Sequence, residues 1–158
     1  MIKTRARLTI VGEGIQKQWL EQLVIQHQIQ DRVRLIGAIS DAARNSLLSQ
    51  CDLVCLPSLN RAEAFGISVL EAMALGKPAL VSDVPGSGLP WLVQDGQTGW
   101  HVEPGNVEAL AAKINWLDAH RPALAAAGEQ ARQRYVDHFD IRHVARQITD
   151  IQRQTVHS

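Results

Sequence analysis

At 158 residues with two cysteines, the chain has the length of one domain and can bury one core. Its 16 Lys and Arg balance 16 Asp and Glu, so no long-range field draws it to nucleic acid or an anionic membrane. No apolar run is long enough to cross a bilayer. The basic residues 1–7 are not followed by the apolar stretch of a signal peptide. Two basic clusters, Lys3, Arg5 and Arg7 and then residues 132–153, carry enough interspersed acids to read as solvated faces. Cys51 and Cys55 stand beside and within an apolar run, without a second ligand pair. They read as buried, reduced thiols of a cytosolic protein. The six histidines form no H-x-x-x-H or H-E-x-x-H array, and no metal site is expected.

In chain order, residues 7–11 read as a buried strand with Gly12, Glu13 and Gly14 as its exit turn. A glycine-rich turn between a strand and a helix can sit near phosphate, and a plain tight turn fits as well. Residues 15–28 form a polar-rich amphipathic helix on which Leu20, Leu23 and Val24 share a face. Residues 33–36 give a second strand. Ser40 or Asp41 caps a short helix over 42–50. The third strand covers 52–56 and ends at Pro57. Residues 84–90, dense in Gly and Pro, read as a loop with special dihedrals beyond a fourth strand at 79–82. A turn at 95–99 leads to a short strand ending at Val102. Asn106 caps a helix to about residue 119, with Val107, Leu110, Ala111, Ile114 and Leu117 as its apolar stripe. Pro122 opens an Ala-rich helix to about 136. Asp140 or the residue before it caps a last helix bearing Val144, Ile148 and Ile151.

The stretch 61–78 organises the rest. A helix should begin near Gly66, built from Leu70, Glu71, Ala72, Met73 and Ala74. Gly76 and Pro78 stop it. The front of such a helix has unpartnered amides and partial positive charge, and can hold a phosphate. Gly66 removes a side chain from that approach. Glu63 and Glu71 flank it, and carboxylates accept hydrogen bonds from sugar hydroxyls. They also fit as solvated helix-end charges.

The string Glu63-x7-Glu71, with Phe65 and Gly66 between and Ala72, Met73 and Ala74 after, resembles the signature of retaining glycosyltransferase family 4, of the GT-B fold. The resemblance continues through Gly76 to Pro78, Ser82 and Asp83, Asp95 to Gly99 and Glu103 to Gly105. It reaches back to Val11 to Gly14 and Arg32 to Gly37. One departure stands out. The family commonly has two glycines and then a glutamate; here Gly86, Ser87 and Gly88 are followed by Trp91 near the glutamate's place. Trp91 either stacks on a sugar or packs.

The resemblance implies an α/β fold: a doubly wound, mostly parallel Rossmann-like sheet, one domain equivalent to the C-terminal half of a GT-B enzyme, lacking its first strand. The domain would span 7–140, with a C-terminal helix and tail over 141–158. The strands near residues 8 and 53 are then expected to pair directly, in the order 2-1-3-4-5. The implied function is hexose transfer, with retention, from a UDP- or GDP-linked donor to a sugar or lipid-linked acceptor in polysaccharide or glycoconjugate synthesis. No metal or other cofactor is implied. Glu63 would hold the donor sugar's hydroxyls and Glu71 the ribose. The backbone of Phe65, Gly66 and Ile67 would hold phosphate or sugar, Gly12 would approach the donor, and Ile39, Asp41 and Arg44 occupy the positions that wall the base, Arg44 covering a base face or reaching a phosphate. The acceptor domain, N-terminal in the family, is missing here, so this chain alone is expected to be incomplete for turnover. The full enzyme would be cytoplasmic or peripheral at the inner membrane. The rival reading is a non-catalytic or truncated nucleotide-sugar-binding module. A flavodoxin-type regulator would need an acidic cluster or flavin loop, and neither is seen.

Overall fold

The computed structural model describes residues 4–63 and 65–156. Lys3, Ala64 and the last two residues lie outside them. The described elements are β1 (Leu8–Val11), α1 (Lys17–Gln26), β2 (Val33–Ile36), α2 (Asp41–Gln50), β3 (Val54–Leu56), α3 (Ile67–Ala74), β4 (Ala79–Ser82), α4 (Leu89–Leu92), β5 (Gly99–Val102), α5 (Val107–Ala119), α6 (Arg121–His138) and α7 (Ile141–Val156).

Local chemistry sets the ends of these elements. α1 is shorter than its periodicity suggests: Gln16 supplies no side-chain cap, and Gln28 takes a left-handed φ of 54°. Ser40, not Asp41, caps α2, its hydroxyl accepting the Ala43 N–H at 3.3 Å. Asn106 does the same for Ala109 at 2.8 Å at the start of α5. α3 ends in a Schellman stop. Gly76, at φ 69°, donates to Met73 and Lys77 donates to Ala72, at 3.0 and 2.9 Å. The stretch 84–90 is not wholly loop. Buried Leu89 and Leu92 wind one helical turn, α4, and Pro90 is tolerated because it falls in that first turn.

All the strand pairs are parallel, but they fall into two sheets, β1-β2 and β3-β4-β5. The expected ladder between β1 and β3 is not formed. In parallel sheets the helices on the faces decide where each strand lies. A hydrogen bond from Arg44 on α2 to Glu71 on α3 spans the two halves, while β3 spends its ladder on β4.

The core belongs to the second sheet. Alternation along β4 sends Ala79 and Val81 to one face, with Val69 and Met73 of α3, Leu89 and Leu92 of α4, and Ala131 of α6. It sends Leu80 to the other, with Trp100, Val102, Leu117, Leu124 and Ala127. Close backbone approaches need glycine at two points. A Cβ on Gly99 would collide with the Ala79 carbonyl, and one on Gly128 of α6 would collide with the Gly76 carbonyl beyond α3. By contrast, no described residue between 4 and 50 is buried.

Candidate functional site

The turn between β3 and α3 builds the site. Gly66 is the N-cap of α3 in a left-handed conformation, φ 85° and ψ 55°, which a side chain would strain. Such a side chain would also strike Leu89 of α4. Glu63 turns back over this corner, and its Oε1 accepts the Gly66 N–H at 2.9 Å. Val69 and Leu70 donate to the Gly66 carbonyl. The amides of Ile67 and Ser68 find no acceptor among the described residues, leaving two donors at the positive end of α3. Phe65 and Ile67 beside them are exposed.

Glu71 stands one turn farther along, about 7.5 Å from Gly66 along the axis. Its Oε1 accepts from Arg44 Nη2 at 2.8 Å. Nη1 of the same guanidinium lies 3.0 Å from Asp41. Arg44 Nε is buried and has no acceptor among the described residues. The Arg44 and Glu71 side chains are 36% and 31% exposed, so their attraction is worth on the order of 1 kcal/mol or less. That is too little to fasten two half-sheets. Its effect is to orient the carboxylate.

The structure thus brings together Glu63, Phe65, Gly66, Ile67, Glu71 and Arg44. Gly12 and Ile39 lie past the C-terminal ends of β1 and β2, where no hydrogen bond or ion pair among the described residues links them to α3. Gly12 has φ 133°, and a Cβ there would meet nothing within 4 Å. Glu13 and Lys17, paired at 3.0 Å, fold over Gly37 instead. That hydrogen bond holds the Glu13 carboxyl below its ordinary range and raises Lys17.

Sequence reasoning passed over Asp41 as a partner of Arg44, and Arg61, whose guanidinium lies over Gly86. Arg61 and Gly86 are joined only by the fold, whereas Asp41 and Arg44 stand at i, i+3 on α2, a spacing that signals such a pair. Trp91 packs: its ring meets Phe139 edge-on at 5.5 Å, and Arg134 lies 5.6 Å from its centroid while donating to the Trp91 carbonyl. The ring still keeps 60% of its surface exposed, 6.4 Å from Phe65.

The larger hollow, about 590 Å³, lies at the α6–α7 elbow and is lined by Val136, Asp137, Asp140, Arg142, His143 and Arg146. Its lining carries both signs of charge and no α3 residue belongs to it, so volume here does not mark the acidic pair. Among the described residues no group of three or more His, Cys, Asp or Glu is placed to hold a metal ion. None of the described helices is long and apolar enough to cross a membrane.

Parallel α/β architecture of this kind is that of a GT-B glycosyltransferase C-terminal domain. The family model for glycosyl transferases group 1 matches residues 2–134, and the chain belongs to that family. It is 36% identical over 138 residues to glycogen synthase of Mycobacterium tuberculosis, covering 87% of this chain and 32% of that one. It is 33% identical over 134 residues to phosphatidyl-myo-inositol mannosyltransferase of Mycobacterium leprae, covering 82% and 34%. A similar solved structure is Anabaena Alr3699/HepE in complex with UDP-glucose, at 26% identity and TM-score 0.80, covering 96% of this chain and 42% of that one. The chain therefore spans about a third of the length of these curated relatives.

Proposed function

We propose that this chain is the donor-binding part of a glycosyltransferase that takes a hexose from a UDP- or GDP-linked sugar and transfers it with retention. Membership in the group 1 family and the likeness to a protein solved with UDP-glucose support this reading. The observation that carries it is the pair of amides at Ile67 and Ser68, which find no acceptor among the described residues and are set between Glu63 and Glu71. Those amides would receive the diphosphate as the bond to the anomeric carbon breaks. Glu63 would hold the donor sugar's hydroxyls, and Glu71, about two turns beyond it in sequence, the ribose. Catalysis of this kind works by positioning and by stabilising the leaving charge; the reading assigns it no metal. Gly12 and Ile39 would line the nucleotide's other side.

The acceptor, a sugar or lipid-linked sugar in polysaccharide or glycoconjugate synthesis, would meet the donor across a cleft whose other wall is a separate acceptor domain. The full enzyme would work in the cytoplasm or against the inner membrane. The second reading is a module that binds the donor without turnover. Calorimetric titration of the chain with UDP, GDP and ADP, beside Glu71→Ala, tests the proposal. Saturable binding of one diphosphate that weakens in the variant is the expected result. No binding of any of the three would reject it. Transfer to a supplied acceptor would then separate the enzyme from the module.

A further inference from the structure

We infer that Arg44 is a positioning residue, which acts on the nucleotide's ribose through Glu71 and not by touching the ligand. The inference rests on the donor-binding reading of Glu71. Arg44 Nη2 donates to Glu71 Oε1 at 2.8 Å, and among the described residues nothing else donates to that carboxylate. One oxygen is thereby fixed and the other is left open. A carboxylate that must accept from two vicinal hydroxyls gains from being held in one rotamer before the ligand arrives. Asp41 supplies the second half of the device. Its Oδ1 lies 3.0 Å from Arg44 Nη1, one turn back on the same helix, so the guanidinium is braced from its own side and aimed across at α3.

A planar fork suits this task, because two parallel edges can serve two carboxylates at once. Lysine offers a single point charge. The bridge also crosses the only junction at which α2 of the first half meets α3 of the second by a described side-chain bond, in a molecule where β1 and β3 share no ladder. The direction of the ribose carboxylate is therefore set by a residue of the other half-sheet.

The test is a cycle of variants titrated with UDP and with 2′,3′-dideoxy-UDP. Arg44→Ala should weaken UDP binding by about three- to fivefold, the most that an orienting interaction of about 1 kcal/mol or less can pass on. It should leave binding of the dideoxy compound unchanged and should have no further effect in a Glu71→Gln background. Arg44→Lys should recover only part of the loss, and Asp41→Ala should reproduce a smaller part of it. Circular dichroism melts show whether each variant is folded; should Arg44→Ala not fold, Arg44→Lys and Asp41→Ala carry the comparison. Equal losses for both nucleotides, or a loss that persists beside Glu71→Gln, would overturn the inference by showing that Arg44 meets base or phosphate itself. If wild-type chain binds no nucleoside diphosphate, the donor-binding reading fails first and this inference falls with it.

Discussion

Glu63 spends one of its two oxygens on the fold. Oε1 is committed to the Gly66 N–H at 2.9 Å, which caps a strained corner. Glu63→Ala should therefore lower stability by about 0.5–1.5 kcal/mol, the usual net worth of one hydrogen bond. Glu63→Gln keeps an acceptor and should fall short of that loss in the same urea titration. Cys55 is a residue whose role is packing. Cys51 and Cys55 are half-buried and not buried as expected, and partial burial of Cys55 beside the second core pushes its thiol up to about 11. Because the folded value exceeds that of the free thiol, this contribution to stability is complete below about pH 9 and disappears as pH rises toward about 11. Cys55 should resist iodoacetamide at pH 8 in the folded chain and react in urea, as mass spectrometry of the labelled peptide would show. Rapid labelling of the native protein would contradict its burial.

At the scale of elements, close packing outweighs propensity. Alanine in place of a helical glycine ordinarily gains about 0.5–1 kcal/mol. At Gly128 the added methyl meets the Gly76 carbonyl, a backbone atom that cannot swing aside. Overpacking costs about 1–3 kcal/mol, so Gly128→Ala should destabilise in guanidinium unfolding; a stabilised variant would show that α6 sits farther from α3. Much of this level was legible in the residues. Gly76 and Pro78 announce the end of α3, Asn106 the start of α5, and the alternation of apolar strands and helices the α/β class. Three features were not. α4 hid in a run of Gly and Pro because one turn needs too few residues to show a period. The β1–β3 gap was hidden because helix docking, and not strand sequence, places parallel strands. The Arg44–Glu71 bridge was hidden because the two residues lie 27 apart and meet only when α2 and α3 dock.

The whole molecule is uneven. Residues 4–50 hold a two-stranded sheet and two helices with no buried residue, whereas the second sheet carries both core clusters. Two strands are marginal alone, and three with covered faces are stable. Amide hydrogen exchange should accordingly be faster throughout β1, α1 and β2 than in β4 and β5, by orders of magnitude at neutral pH. Uniform protection across both sheets would refute that division. Nucleotide binding should slow exchange in α2, since a ligand on Glu71 would draw on the Arg44 bridge.

The central claim, that the leading amides of α3 and their flanking acids receive an activated sugar, is tested most directly by amide NMR of the labelled chain titrated with a UDP-hexose. The expected result is a saturable shift of the Gly66, Ile67 and Ser68 resonances, with smaller shifts at Glu71 and Arg44. Shifts confined to the α6–α7 elbow, with those three amides unmoved, would contradict it.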